Sequence, residues 1–326
     1  MQQTAAEIPI LAQEPITFER PTGVISVLRN VGRFCRRKPM GAIGGVIVLT
    51  MLFAALFVDA KVITAGASNE PLLAPSGYNE QHIRRAEINQ GPSLAHPMGT
   101  DELGRDIFSR ILYGARISAV IGYSSVAIIV VVSLLLGTFS GYFSGWVDTL
   151  TQRLIDIVLS IPPIVLLIFS LSVFAGRSGP YVRMFWIILI VGVIVSAQSV
   201  RVVRGAAIAV SNNQYIDAAR AIGASNARII LRHIIPNVVP VAIVLATVNL
   251  GTAILAEAAI SFLGYGIPPP FPSWGGMLNL SGSSQFRAEP LQALWPGLAI
   301  ALSVFGFNML GDALRDVLDP RLRGGR

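Results

Sequence analysis

Covalent chemistry needs a nucleophile beside a base, or ligands spaced to close on a metal, and the reactive residues of this chain are few and scattered. The histidines His82, His96 and His233 are not spaced as a pair on one helix face, and Cys35 is the sole cysteine. No HExxH, GxSxG or clustered Cys/His pattern occurs, so no catalytic residue and no metal ligand is assigned. Lysine occurs only at Lys38 and Lys61, after Arg37 and Ala60. A phosphate-cradling loop needs Gly-Lys followed by Ser or Thr, so any ATP hydrolysis must come from another chain. Polar chemistry remains in two unusual places: Asn249 and Glu257 inside an apolar run, and an Ala-rich charged stretch from Asp217 to Gly223.

The elements that carry these residues follow from composition. Of 326 residues, 53% are hydrophobic and 13% charged, with a mean hydropathy of +0.63, against roughly 25% charged in an ordinary soluble domain. Such a chain must bury itself in a core or in lipid, which excludes disorder and argues against a soluble globular protein. A lone cysteine provides no disulfide framework. Uncharged runs long enough to cross about 30 Å of hydrocarbon span Met40 to Val58, Ile117 to Tyr142, Ile157 to Ala175, Met184 to Val200 and Ala293 to Gly311. A sixth, Val238 to Ala259, is interrupted by Asn249 and Glu257. Backbone groups in lipid must be satisfied within their own segment, so these runs predict six transmembrane helices in an all-α polytopic membrane protein.

The excess of 25 Lys+Arg over 18 Asp+Glu is distributed as membrane flanks, not as a nucleic-acid stripe. With a cytoplasmic N-terminus, the inner segments hold 16 of the 25 basic residues and a net charge of +7, against +1 outside. Both termini are therefore expected in the cytoplasm, with Arg33, Arg36, Arg37 and Lys38 as the strongest determinant. The polar first 20 residues lack the order of a cleavable leader, so the first span is read as retained in the cell membrane. The expected organisation is a cytoplasmic tail (1–39), the first span (40–58), an extracytoplasmic segment (59–116), a core (117–311) with an inner loop at 201–237, and a cytoplasmic tail (312–326).

Within that loop, Gly223 permits a sharp reversal between two short helices, and Pro236 is expected to restart the chain into the next span. Arg228 and Arg232 share a face opposite Ile230 and Ile234, an amphipathic pattern suited to the membrane interface. On the outer side, Asp101 to Arg105 and Asp106 to Arg110 stand at helical ion-pair spacing. Ile107, Phe108, Ile111 and Leu112 add an apolar stripe, so an amphipathic helix should feed the second span. Glu257 lies third from the outer end of its span. It either lines a translocation path, snorkels to the surface, or pairs with an outer-loop arginine.

Several of these stretches resemble one family. Asp217-Ala218-Ala219, then Gly223 after three residues, then Pro236 thirteen positions on, resembles the EAA loop of ATP-binding-cassette (ABC) importer permeases. Asp217, His233 and Ile235 depart mildly from its usual residues. The segment Gly99-Thr100-Asp101-Glu102-Leu103-Gly104-Arg105-Asp106-Ile107-Phe108-Ser109-Arg110 is similar to the G-T-D-x-x-G-R-D-x-x-S-R stretch of the C-type dipeptide, oligopeptide and nickel permeases. Leu255 to Gly264, with Pro268-Pro269-Pro270 and Pro272-Ser273-Trp274-Gly275, resembles their LAEAxLSFLGLGxxPPxPSWG segment, with Ile260 and Tyr265 in place of leucines. Gly311-Asp312-Ala313-Leu314-Arg315-Asp316 with Asp319-Pro320-Arg321 resembles their C-terminal end.

The resemblance implies a type I importer transmembrane domain that moves peptides by alternating access. Asp217, Ala218, Ala219, Arg220 and Gly223 would form the coupling helix in a groove of a cytoplasmic ATPase, with Glu257 and Asn249 on the substrate path. It further implies a homologous B-type permease, ATPase subunits that bind ATP and Mg, and an extracytoplasmic substrate-binding protein, all within a lipid bilayer. No cofactor is bound by this chain, and no nucleic-acid partner is expected. A nickel chelate or another solute of the same family is an alternative cargo. An ion-coupled secondary transporter, or a receptor or scaffold, would be the reading from another class.

Overall fold

The computed structural model describes residues 32, 34–36, 38–59, 71–81, 88–176, 178–280 and 290–318. His82, Arg33, Arg37, the middle of the outer segment and Asp319 to Arg321 lie outside them. The chain divides into residues 1–39 and 40–326, and the second unit is a helical bundle. Its elements are α1 (Pro39–Phe57), α2 (Ile107–Phe143), α3 (Gly145–Ser160), α4 (Pro163–Phe174), α5 (Pro180–Ser211), α6 (Gln214–Ala221), α7 (Asn226–Ile229), α8 (Ile235–Phe262), α9 (Trp274–Leu280) and α10 (Pro290–Leu318).

Local chemistry sets the helix ends. Asp106 stands in extended conformation before α2 and accepts from the Ser109 backbone N–H at 2.7 Å, an N-cap that satisfies an otherwise orphaned donor. Proline opens α4 and α5, where its missing N–H costs nothing. Gly264, at φ +85°, ends α8 with bonds from Gly264 N–H to Ser261 O and from Tyr265 N–H to Ile260 O.

Several boundaries differ from those expected. The amphipathic stretch at Ile107 and the second span form one uninterrupted helix of 37 residues, about 55 Å long. Likewise α5 runs on to Ser211, so Arg201 and Arg204 belong to it and not to a loop. The expected straight span Ile157 to Ala175 is broken: α3 and α4 meet at 94°. Ile161 sits in extended conformation, because the ring of a following proline disfavours the helical region. Pro236 does not restart the chain either. A π turn over Ile230–Ile234 joins α7 to α8 without interruption, so the helical stretch Asn226–Phe262 has 37 residues. The wider turn accommodates a residue that cannot donate to the carbonyl four positions back.

Close approach at small residues fixes helix directions. A Cβ on Gly137 would meet Val203, and one on Gly141 would meet Ala207 and the Arg204 carbonyl. Toward the other end of the same pair, Ser125 Oγ donates to Ile188 O. The numbers rise together, so α2 and α5 run parallel, and the bent α3–α4 pair must carry the chain back between them. By the same test α8 runs antiparallel to α2, with Gly122 against Ile254 and Leu250. It is also antiparallel to α10, with Gly251 against Asn308 and Gly311 against Thr247. Gly44 of α1 lies against Gly306 and Leu310. Among the described residues, five helices are long and apolar enough to cross a membrane and the bent α3–α4 pair makes a sixth crossing; the N-terminal half of α1 and the C-terminal half of α10 share one end of the bundle.

Large apolar side chains such as Leu49, Leu135, Phe139, Phe169 and Val173 point outward from the bundle, as expected where the surrounding solvent is lipid. Gly141→Val should place its Cβ 2.8 Å from Ala207 Cβ and the Arg204 carbonyl. Overpacking of this kind costs on the order of 1–3 kcal/mol, so the thermal midpoint in detergent should fall. Gly205→Val on the outer face of α5, where a Cβ has open space, should leave it unchanged. Equal midpoints for the two variants would rule out the parallel α2–α5 crossing as a stabilising contact.

Candidate functional sites at the two ends of the bundle

The Asp217 to Gly223 stretch sits at the end formed by the C-termini of α2 and α5. Here α6 lies over a small core in which Ile216 is fully buried and Ala219 nearly so, against Val203, Ala207, Ile229, Ile230 and Ile234. Asp217, Ala218 and Arg220 face outward. Gly223 takes φ +80°. Its N–H bonds Arg220 O, and the Ala224 N–H reaches back to Ala219 O, the paired hydrogen bonds of a Schellman ending. A built Cβ on Gly223 meets nothing within 4 Å, so glycine is required there by backbone conformation and not by space.

The five residues named from sequence thus occupy one short hairpin. Arg220 Nη1 lies 3.4 Å from Asp217 Oδ1, and its guanidinium carbon lies 5.4 Å from the Tyr142 ring centroid, a cation–π contact. Tyr142 in turn donates its hydroxyl to Asn226 Oδ1 at 2.8 Å. The expected amphipathicity of the following segment is present: Arg228 and Arg232 are exposed, while Ile230 and Ile234 are buried. Sequence reasoning missed Ile222. It is 86% exposed at the tip of the hairpin, and an isoleucine beside the reversing glycine of a charged loop was the available signal. Beside the hairpin, Arg204 Nε and Nη2 clamp Asp148 at 2.6 and 2.5 Å, and so tie α3 to α5.

At the opposite end, Glu257 is 0% exposed. Ser261 Oγ donates to it at 2.7 Å and Ser118 Oγ at 3.4 Å, with the buried Ser273 close by. One side chain therefore joins α2 to α8 beside the proline-rich segment ahead of α9. It reaches no arginine among the described residues and does not snorkel. Asn249 is half-buried, and its side-chain amide donates to Ser199 Oγ at 2.9 Å, which links α8 to α5.

The Gly99 to Arg110 stretch forms a polar knot that differs from the helix expected of it. Asp101 and Arg105 do pair, at 2.7 Å, but in a turn ahead of α2. Asp106 and Arg110 do not pair. As N-cap, Asp106 turns back to Ser109 and also meets His96 Nδ1 at 3.0 Å. Arg110, 2% exposed, instead donates to the Tyr78 carbonyl at 3.0 Å, with Asp101 at 3.8 Å. Nearby, Arg116 binds Asp59 at 2.9 Å and donates to the Ala55 and Leu56 carbonyls, closing the C-terminus of α1.

Known proteins with these features are transport components. Residues 133–324 match the family described as binding-protein-dependent transport system inner membrane component. The chain is 38% identical over 319 residues to the dipeptide transport system permease protein DppC of Alkalihalophilus pseudofirmus, covering 97% of each. It is 40% identical over 244 residues to the glutathione transport system permease protein GsiD of Pectobacterium atrosepticum, covering 75% of this chain and 79% of that one. The Escherichia coli glutathione permease GsiD matches at 39% over 271 residues, 83% of this chain and 86% of its own. With six apolar crossings, an EAA-type hairpin at one end and a match over more than half its length, this chain belongs to the inner membrane components of binding-protein-dependent transport systems, the permeases of ABC importers.

Proposed function

We propose that this chain is one of two permease subunits of an ATP-driven importer of di- or oligopeptides, working beside a homologous B-type partner. The end that carries α6 faces the cytoplasm, in keeping with the arginine-rich flanks found there. An extracytoplasmic binding protein delivers the solute at the other end. Cytoplasmic ATPase subunits hold ATP and Mg and perform the hydrolysis. The cargo assignment is supported by relatives named for dipeptide and glutathione transport.

One observation carries the reading: the exposed α6 hairpin, with Ile222 at its tip, is joined mechanically to both ends of the bundle. Its buried side shares a core with α5. Through the π turn it continues into α8, whose far end holds Glu257. A helical rod of 37 residues reaches about 55 Å, so displacement of the hairpin by a closing ATPase dimer tilts α8 across the whole membrane. Asn249 and Glu257 would then move with the translocation path as it changes access, Asn249 through Ser199 and Glu257 through the outer rim.

Purifying the chain from its native membrane in mild detergent tests the assignment. A P-loop ATPase should copurify, and Ile222→Cys should crosslink to it with a short bifunctional reagent. Recovery of the chain without any ATPase under conditions that keep the permease pair together would overturn the proposal.

A further inference from the structure

At the outer end, lined in part by the proline-rich segment, lies a cavity of about 170 Å³ with Arg110, Arg183, Ser273 and Asn279 in its wall. A single water needs only about 10–15 Å³ of such space, so the cavity has room for part of a small solute. Its charge is unbalanced. Arg183 Nη1 and Nη2 donate to the Gly266 and Gly176 carbonyls, and its Nε is buried with no hydrogen-bond partner. No carboxylate among the described residues lies within ion-pair distance of Arg183. Arg110 shares its nearest acid, Asp101, with Arg105, which holds that carboxylate more closely, at 2.7 against 3.8 Å. Glu257 is fully buried, held by the Ser261 hydroxyl, and does not line the cavity.

Arg183 is half-buried with an orphaned Nε and no acid partner, Arg110 is buried with only a distant, shared one, and a planar N–H fork matches a carboxylate. The cavity also has an apolar neighbour. Ile267 and Phe271 line both it and a second cavity of about 190 Å³, walled by Tyr78, Tyr113 and Tyr181. We infer that this outer pocket, built on Arg110 and Arg183, binds the carboxylate of a small solute and seats that solute's apolar or aromatic side chain among the tyrosines. If the cargo is a peptide, the pocket would receive its C-terminal residue. That identification rests on the import reading, whereas the carboxylate site does not.

The test is isothermal titration of the complex as isolated from its membrane, held in phosphatidylcholine nanodiscs without ATP. N-acetylphenylalanine is the probe and its C-terminal amide the control. The acid should bind, and the amide should bind at least about tenfold more weakly, the order expected for losing a charge-assisted hydrogen bond. Arg183→Gln should weaken the acid by a similar factor and leave the amide unchanged, and Arg183→Lys should keep part of the preference. Should Arg183→Gln fail to assemble, Asn279→Asp, at an exposed position in the same wall, should repel the acid and spare the amide. Equal binding of acid and amide, or equal binding of the acid by wild type and an assembled variant, would overturn the assignment. So would loss of acid binding when phosphatidylglycerol is included, since the arginines would then be lipid headgroup sites. Binding is read without nucleotide or transport, so failure here leaves the ATPase partnership standing, and absence of an ATPase leaves this result standing.

Discussion

Gly223→Trp is expected to abolish ATP-driven uptake while the chain still inserts into the membrane. Gly223 holds φ +80°, where a side chain costs on the order of 1–2 kcal/mol in backbone strain. A free hairpin that relaxes out of this conformation must recover that cost on docking, about tenfold in affinity. The indole would also project from the exposed hairpin into open space, so close approach of another protein there would be blocked sterically. The bundle itself is untouched, because no neighbouring atom lies within 4 Å of a Cβ at this position. Uptake of a labelled dipeptide into proteoliposomes, alongside the amount of chain extracted from the membrane, checks the expectation. Normal uptake by this variant would remove α6 from the coupling role.

The second large effect concerns Glu257. Glu257→Ala should strip the acceptor from Ser118 and Ser261, which are 0% and 3% exposed, and leave a void beside them. Unsatisfied buried hydroxyls cost about 1–3 kcal/mol each, and the void adds a term of similar size, so the variant should be poorly folded and low in yield. Glu257→Gln keeps the volume and one acceptor oxygen, and its thermal midpoint should lie much nearer wild type. The pair separates structure from transport. A stable Glu257→Gln protein that has lost uptake would assign the carboxylate's charge to the transport cycle. Full uptake by that variant would confine Glu257 to holding the outer rim together. Wild-type stability in Glu257→Ala would contradict the hydrogen-bonded knot itself.

The α6 hairpin was legible because its determinants are local. A small-residue turn, a reversing glycine and an amphipathic continuation all fall within about twenty residues, and each acts on its immediate neighbours. Ile222 was passed over because an isolated isoleucine reads equally as core or surface until its neighbours are placed. The Asp106–Arg110 pair was misread for a related reason. Its spacing suits a helix, but Asp106 is the residue before the helix, where the side chain serves the backbone of Ser109 instead of a partner one turn on.

The six crossings needed only the sequence, since apolar length against the thickness of hydrocarbon is a one-dimensional property. The break in the third crossing was half-visible in Pro162 and Pro163, although its 94° bend depends on what α3 and α4 pack against. Tertiary structure alone decided that α2 and α5 run parallel. It alone brought Ser118 and Ser273 to Glu257, and Arg110 and Arg183 to one cavity. Periodicity reports which face of a helix is apolar but not which helix will cover it. That choice is made where small residues such as Gly137, Gly141 and Gly251 let backbones approach, and it joins residues dozens to more than a hundred positions apart.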